Sequence, residues 1–252
     1  MYTRFTRLSP YTTSTAVKFA ERRSAILALD FDETLTTQCT LADVVAVARQ
    51  KHRNGSCKDF QWCTNEYMKD LCAYEVQFQS VVGDQGTPTA WSHGMLNEYL
   101  EGLRPIEKAS LERLGSRQVL AGASRKEFYA GGGGRGAKIR SGAAALINKV
   151  LSDSMWKVIV VSTNWSEDFI RGALEFAGVN VASTAFSVHC NSLVFASDTG
   201  LSTGHIEPKV IAARDKVDLL ARYRHEQGDA PMLVYAGDSL TDLPALCLAD
   251  VG

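Results

Sequence analysis

The sequence predicts an α/β protein, a doubly wound parallel sheet interrupted by an inserted helical domain. Three observations lead there. Three short apolar runs, "SAILALD" (24–30), "KVIVVST" (157–163) and "PMLVYAGDS" (231–239), are rich in Val, Ile, Leu or Ala and end in polar residues. Parallel strands covered on both faces read this way. Helical patterns follow the second and third runs, and such alternation marks a Rossmann-like sheet wound on both sides. About 120 residues separate the first run from the second, far more than a crossover needs.

Taken in order, residues 1–23 form an N-terminal tail rich in Ser and Thr, with Arg4, Arg7 and Lys18 ahead of its first acid, Glu21. That composition reads as a polar lead-in or as an organellar transit segment. The first strand follows at 24–30. Helical spacing then recurs in "LADVVAVARQ", "EYMKDLCAYEVQF" and "MLNEYLEGLRPIEKASLERLG", punctuated at "NGS", "VGDQGTP" and "GGGGRG". Residues 37–137 are therefore the inserted helical domain, and 24–36 with 138–252 the α/β core. "GGGGRG" (131–136) reads as a flexible return hinge, because no phosphate-loop pattern surrounds it. After the second strand, "SEDFIRGALEFAG" predicts a helix with Ser166 as N-cap and Gly178 at its stop. "VASTAFSVHCNSLVF" reads as a hairpin, and Val251 and Gly252 as the start of a further strand, leaving the sheet unfinished at that end.

The composition excludes several classes. With 45% hydrophobic and 22% charged residues and a net charge of −1, the chain has the apolar content of a globular core and no basic excess for nucleic acid. No apolar run reaches a bilayer span. The six cysteines form no C-x-x-C pair and read as reduced thiols, which places the protein in the cytoplasm, or in mitochondria if the tail is a transit segment.

The chemistry lies at the strand ends. In an open α/β sheet, ligands bind beyond the carboxyl ends of the strands. There the runs place Asp30 and Asp32, then Ser162, then Asp238 and Asp242. Converging acids need a counter-charge, and a hard divalent cation with oxygen ligands supplies one. Gly237 suits the tight turn before Asp238, and a spacing of four sets Asp238 and Asp242 on one face. Asn164 either lines this site or caps the following helix, with Trp165 beside it. Cys39, Trp62 and Trp91 read as core or pocket wall, and Arg104 and Glu107 either as residues facing the substrate from the inserted domain or as a solvated helix face.

The ordered set "DFDETLT", "VIVVSTN", the lysine of "RDKVDLL" and "YAGDSLTDL" resembles the four motifs of haloacid dehalogenase-like hydrolases, in the phosphoserine-phosphatase-like branch. Lys216 precedes Asp238 by 22 positions, similar to the spacing in that branch, and its context favours it over Lys209. "STGHIEPKVIAARDKVDLL" and "YAGDSLTDLPALCLADVG" are similar to the thiamin monophosphate phosphatase domains of plants and their fungal relatives. The resemblance implies a cap domain over the core and a phosphatase acting on a small phosphate monoester, with no nucleic-acid or membrane partner. It implies Asp30 as nucleophile, Asp32 as general acid and base, and Mg²⁺ held by Asp30, the carbonyl of Asp32, and Asp238. Phosphate contacts fall to Ser162, Thr163, Asn164 and Lys216, with support from Thr34, Gly237 and Asp242. Aromatic residues of the cap (Trp62, Tyr67, Tyr74, Trp91, Tyr99) either stack on a cationic ring or simply pack. A binding protein of the same fold without turnover, and a phosphotransferase, are the alternatives.

Overall fold

The computed structural model describes residues 24–49, 56–83, 92–226 and 231–252. The N-terminal tail, Trp91 and most of the "NGS" and "VGDQGTP" punctuation lie outside these residues. In chain order come β1 (Ala25–Leu29), α1 (Leu41–Arg49), α2 (Ser56–Gly83), α3 (His93–Ser116), β2 (Ala121–Ser124) and α4 (Arg125–Gly131), which runs on into a wide turn, Gly132–Gly136. Then follow α5 (Ala143–Leu151), β3 (Trp156–Val161), α6 (Glu167–Phe176), β4 (Phe186–His189), β5 (Ser192–Phe195), β6 (Leu201–Glu207), α7 (Ala213–Glu226), β7 (Met232–Ala236) and α8 (Leu243–Leu248). No helix among the described residues is long and apolar enough to cross a membrane.

The predicted parallel sheet is present, four strands in the order β4-β3-β1-β7. All five residues of β1 are buried, as a central strand covered on both faces requires. Alternate residues point to opposite faces. Leu27, Leu29, Val158 and Val160 pack under α5 and α6 with Ile147, Ile170 and Leu174. Ile26, Ala28, Ile159 and Val161 pack under α7 and α8 with Leu219, Leu220 and Ala245. Ser166 caps α6 by accepting from Phe169 N, and Gly178 takes the left-handed φ of +93° that ends it. The register sets Leu29 opposite both Val160 and Ala236. The three strands therefore end level, and the residues after them share one edge.

The inserted segment leaves and re-enters the core side by side, with Thr37 N donating to Lys138 O and Arg140 N to Leu35 O. A second core joins α1, α3 and α4 to Trp165, Phe169 and Leu193, through Val44, Leu114, Leu120 and Phe128.

Two expectations are overturned. The predicted hairpin over 181–195 does not form. β4 runs parallel to β3 in the central sheet, whereas β5 pairs antiparallel with β6 in a separate three-stranded sheet, β2-β6-β5. The buried Asn191 makes the change of sheet by donating to Thr163 O and Val210 O and accepting from Lys209 N and Val210 N. "GGGGRG" is not a loose hinge either. It is a helical turn pressed against α6, where a Cβ on Gly132 would sit 2.0 Å from Phe169 O. On the facing helix, a Cβ on Gly172 would sit 1.9 Å from Tyr129 O. Gly172→Ala is accordingly expected to lower the urea midpoint by an overpacking cost of about 1–3 kcal/mol. A midpoint equal to wild type would show that the two backbones do not approach this closely. At the sheet's far edge Val251 makes one parallel bridge to Val234, beginning the further pairing expected there.

His189, at the end of β4, supplies a pH-dependent term. Its ring nitrogen lies 2.8 Å from the Tyr223 hydroxyl, and burial holds its pKa below the ordinary histidine value of 6.5. The unfolded chain then takes a proton that the folded protein resists. Stability from this group is full above pH 6.5 and falls as the pH drops below it, with a slope of up to about 1.4 kcal/mol per pH unit. Urea titrations across that range are expected to show a shallower fall for His189→Gln than for wild type.

Candidate active site

The loop after β1 is built to aim carboxylates. Asp30 leaves the strand buried, and Phe31 beneath it is fully buried. The chain turns back through Leu35 N and Thr36 N, both donating to Phe31 O, with Glu33 in the left-handed region at φ 58°. Glu33 N donates to Thr36 Oγ1, and Arg140 fastens the turn by donating to Glu33 O at 2.6 Å and Thr34 O at 3.1 Å. Thr34 Oγ1 reaches across to donate to Asp238 Oδ1 at 2.8 Å, tying the first strand's loop to that of β7.

Lys216 sits on the buried face of α7, 1% exposed. Its Nζ donates to Asp30 Oδ1 at 2.8 Å and to Asp242 Oδ1 at 2.7 Å. Asp242 also accepts from the Tyr235 hydroxyl at 2.5 Å and from Ser239 N and Oγ. Gly237 is required beside it, since a Cβ there would lie 2.4 Å from Asp242 Cγ. The charges follow from these contacts. Burial alone would depress Lys216, but Asp30 and Asp242 outweigh it and hold the ammonium above its usual range. Burial would raise Asp242, but Lys216 and the bonds from Ser239 and Tyr235 keep it below the usual carboxylate range. Asp30 has less help, and burial pushes it up to about 7 against the pull of Lys216. Lys209, the competing lysine, is exposed and bonds to Ser192 Oγ and Glu207.

Asp32 is held apart from that group. Its Oδ1 accepts from Thr40 N and Oγ1, both at 2.6 Å, and its Oδ2 from Asn164 Nδ2 at 2.9 Å. Asn164 is not the cap of α6, a role Ser166 fills; its Oδ1 accepts from Ser166 N just ahead of the helix. Ser162 is buried, its Oγ accepting from Asn164 N at 3.1 Å. Thr163 is exposed and offers its carbonyl to Asn191. Thr40, Arg140, Tyr235 and Asn191 are the parts of this arrangement that the sequence reading missed.

Carboxylate oxygens of Asp30, Asp238 and Asp242 lie within 4.8 Å of one another, the oxygen donor set of a hard divalent cation. They are not equivalent. Both oxygens of Asp242 are engaged by Lys216, Tyr235 and Ser239. Oδ2 of Asp30 and Oδ2 of Asp238 accept no hydrogen bond among the described residues, and these two fit a cation.

Beside the Asp32 clamp opens a cavity of about 450 Å³ between α2, α3 and the core, bounded by Cys39, Phe60, Leu111, Thr163 and Trp165 among others. Glu107 lines it, so of the two readings of this residue the solvated face is the one the structure excludes. Its Oε1 accepts from the Tyr67 hydroxyl at 2.8 Å, and burial raises its pKa. Arg104, one turn earlier, instead donates to both oxygens of Asp215 at the start of α7. Trp62, read as core or wall, is 38% exposed with the Arg117 guanidinium over its ring, and of the aromatic residues read as stacking on a cation or packing, Tyr74 and Tyr99 stack on each other. A wider concavity of about 550 Å³, bordered by Asn97, Ala213, Pro244 and Cys247, contains none of the clustered acids.

A family model described as haloacid dehalogenase-like hydrolase matches residues 27–246. Among solved structures, the chain is similar to a phospho-aspartyl intermediate analogue of phosphoserine phosphatase, at 18% identity and a TM-score of 0.51, covering 90% of this chain and 84% of that one. It is similar to a substrate-bound phosphoserine phosphatase at 16% identity and a TM-score of 0.53, covering 91% and 84%. A third, a HAD family hydrolase from Salmonella enterica serovar Typhi, gives 18% identity and a TM-score of 0.50 over 90% of this chain and 60% of that one. At these identities the likeness is one of fold. No curated protein matches the chain by sequence.

Proposed function

The chain belongs to the haloacid dehalogenase-like hydrolase family, and we propose that it is a Mg²⁺-dependent phosphatase of a small phosphate monoester. The observation that carries this reading is the buried Lys216 bridging Asp30 and Asp242 at the strand edge that also bears Asp32 and Asp238. Asp30 attacks phosphorus, the ester P–O bond breaks, and an aspartyl-phosphate forms. Asp32 gives its proton to the departing alcohol, then takes one from the water that attacks the phosphoenzyme, returning Asp30 and inorganic phosphate. Thr40 and Asn164 hold the Asp32 carboxylate for both transfers. Ser162 Oγ and the backbone amide of Thr163 grip phosphate oxygens, Asn164 supports Ser162 through its own N–H, and Lys216 adds positive charge where it accumulates. Asp30, the Asp32 carbonyl and Asp238 would hold the cation, which would offset repulsion between the carboxylate and the phosphate. Asp242 and Thr34 position Lys216 and Asp238.

Residues 37–137 are proposed as the cap, whose closeness to the site favours small substrates over macromolecules. Thiamin monophosphate is the first candidate, on the motifs of the second half of the chain. The test is phosphate release from 4-nitrophenyl phosphate with Mg²⁺ or with EDTA. Turnover is expected only with the metal, and folded protein inert under both conditions would overturn the proposal. Competition among a panel of metabolite phosphates then ranks thiamin monophosphate against the rest.

A further inference from the structure

The cavity beside Asp32 has a charge pattern that the phosphatase reading does not use. Asp32 is clamped by Thr40 and Asn164, and the chain neighbours of those two, Cys39 and Thr163, line the cavity. An alcohol leaving toward Asp32 would therefore come from this space. Its walls are largely apolar: Leu41, Phe60, Leu111, Leu114, Trp165 and Ile211. Phe60 and Trp165 meet edge to face, with centroids 6.4 Å apart. One charged side chain lines the cavity, Glu107, and no Lys or Arg does so. The carboxylate accepts one hydrogen bond, from Tyr67, and pairs with no cation among the described residues.

A carboxylate among apolar walls is costly unless a cation or donor meets it. We infer that the substrate's alcohol portion fills this cavity and carries a positive charge, an ammonium or a cationic ring, which Glu107 receives. The inference deepens the phosphatase reading and rests on it. Tyr67 orients the carboxylate, while Phe60 and Trp165 offer aromatic surface to the same cation. The pattern also selects against a second anion. A leaving group with its own carboxylate, as in O-phosphoserine, finds no basic partner on these walls. Glu107, Leu111 and Leu114 lie four and three residues apart, on one helical stripe facing the cavity.

The test compares choline phosphate with its uncharged carbon isostere, 3,3-dimethylbutyl phosphate, and with O-phosphoserine. Wild type is expected to favour the cationic ester over the isostere by tenfold or more in kcat/KM, and to handle O-phosphoserine no better than the isostere. In Glu107→Gln, which keeps an acceptor for Tyr67, the cationic-to-neutral ratio falls toward one. A wild-type ratio at or below one, or a ratio that Glu107→Gln leaves unchanged, overturns the inference. If none of these esters nor 4-nitrophenyl phosphate is hydrolysed, it is the phosphatase reading that fails. Calorimetry with choline and 3,3-dimethylbutanol then decides the cavity by itself: tighter binding of choline upholds the charge assignment, and equal or no binding overturns it.

Discussion

Asp30→Asn is expected to cut phosphate release by about a thousandfold or more, while leaving the protein folded. The amide keeps the shape of the carboxylate and an oxygen for the Lys216 ammonium, now 2.8 Å from Asp30 Oδ1, but it is a far poorer nucleophile toward phosphorus. The variant separates chemistry from stability because the two effects have opposite signs. Burial pushes Asp30 from its ordinary 3.8 up to about 7, so the folded protein binds this proton more tightly than the unfolded chain does. Stability from the group is full below 3.8 and is lost as the pH rises toward 7. At pH 8 without added metal, removing the charge therefore does not lower the melting temperature. Release assays paired with melts on the same preparation check this. Activity within tenfold of wild type would remove Asp30 from the nucleophile's role.

Lys216→Met is expected to damage both properties. It leaves Asp30 and Asp242 facing each other with no cation between them, and breaking a buried pair from one side costs about 3–5 kcal/mol. Asp242 carries much of the loss. Its folded pKa is depressed, so it contributes stability above its unfolded pKa that wild type surrenders only in acid, as the pH falls through the folded value. Without Lys216 that contribution is already missing at neutral pH. Urea unfolding measures it, and adding Asp242→Asn to Lys216→Met should restore part, since one of the two stranded charges is gone. Turnover in the single variant is expected to fall by about a hundredfold or more from the lost positive charge at the transferring phosphoryl group. A Lys216→Met protein with wild-type stability would mean that the two carboxylates do not share this lysine.

The central strands were legible because a strand buried on both faces needs an unbroken apolar run, and three such runs stand out from everything between them. Their level ends come from pairing register, and the polar residues after each run marked the edge where the acids gather. What stayed hidden depends on partners distant in the chain. "FSVH" and "SLVF", two residues apart, look like the arms of a hairpin, and only pairing with β3 and β6 assigns them to different sheets. Four glycines in a row read as slack, because composition does not reveal whether a missing side chain serves freedom or close approach. Thr40 lies eight residues from Asp32 and Asn164 lies 132, and neither has a local feature announcing a hold on that carboxylate. Glu107 was open between a substrate-facing and a solvated reading. Its spacing from Leu111 and Leu114 places it on an inward stripe, a signal that the charged residues around it obscured.

The contact between α4 and α6 has a mechanical consequence. With Gly132 and Gly172 letting the two helix backbones touch, there is no side-chain cushion across which they could slide. This joint therefore behaves as a weld, fixing α4 and the turn after it in one position on α6. On the other side of the cavity α3 is held by Leu111 and Leu114 in the second core, and the Arg104–Asp215 contact, partly open to water, adds little to that hold.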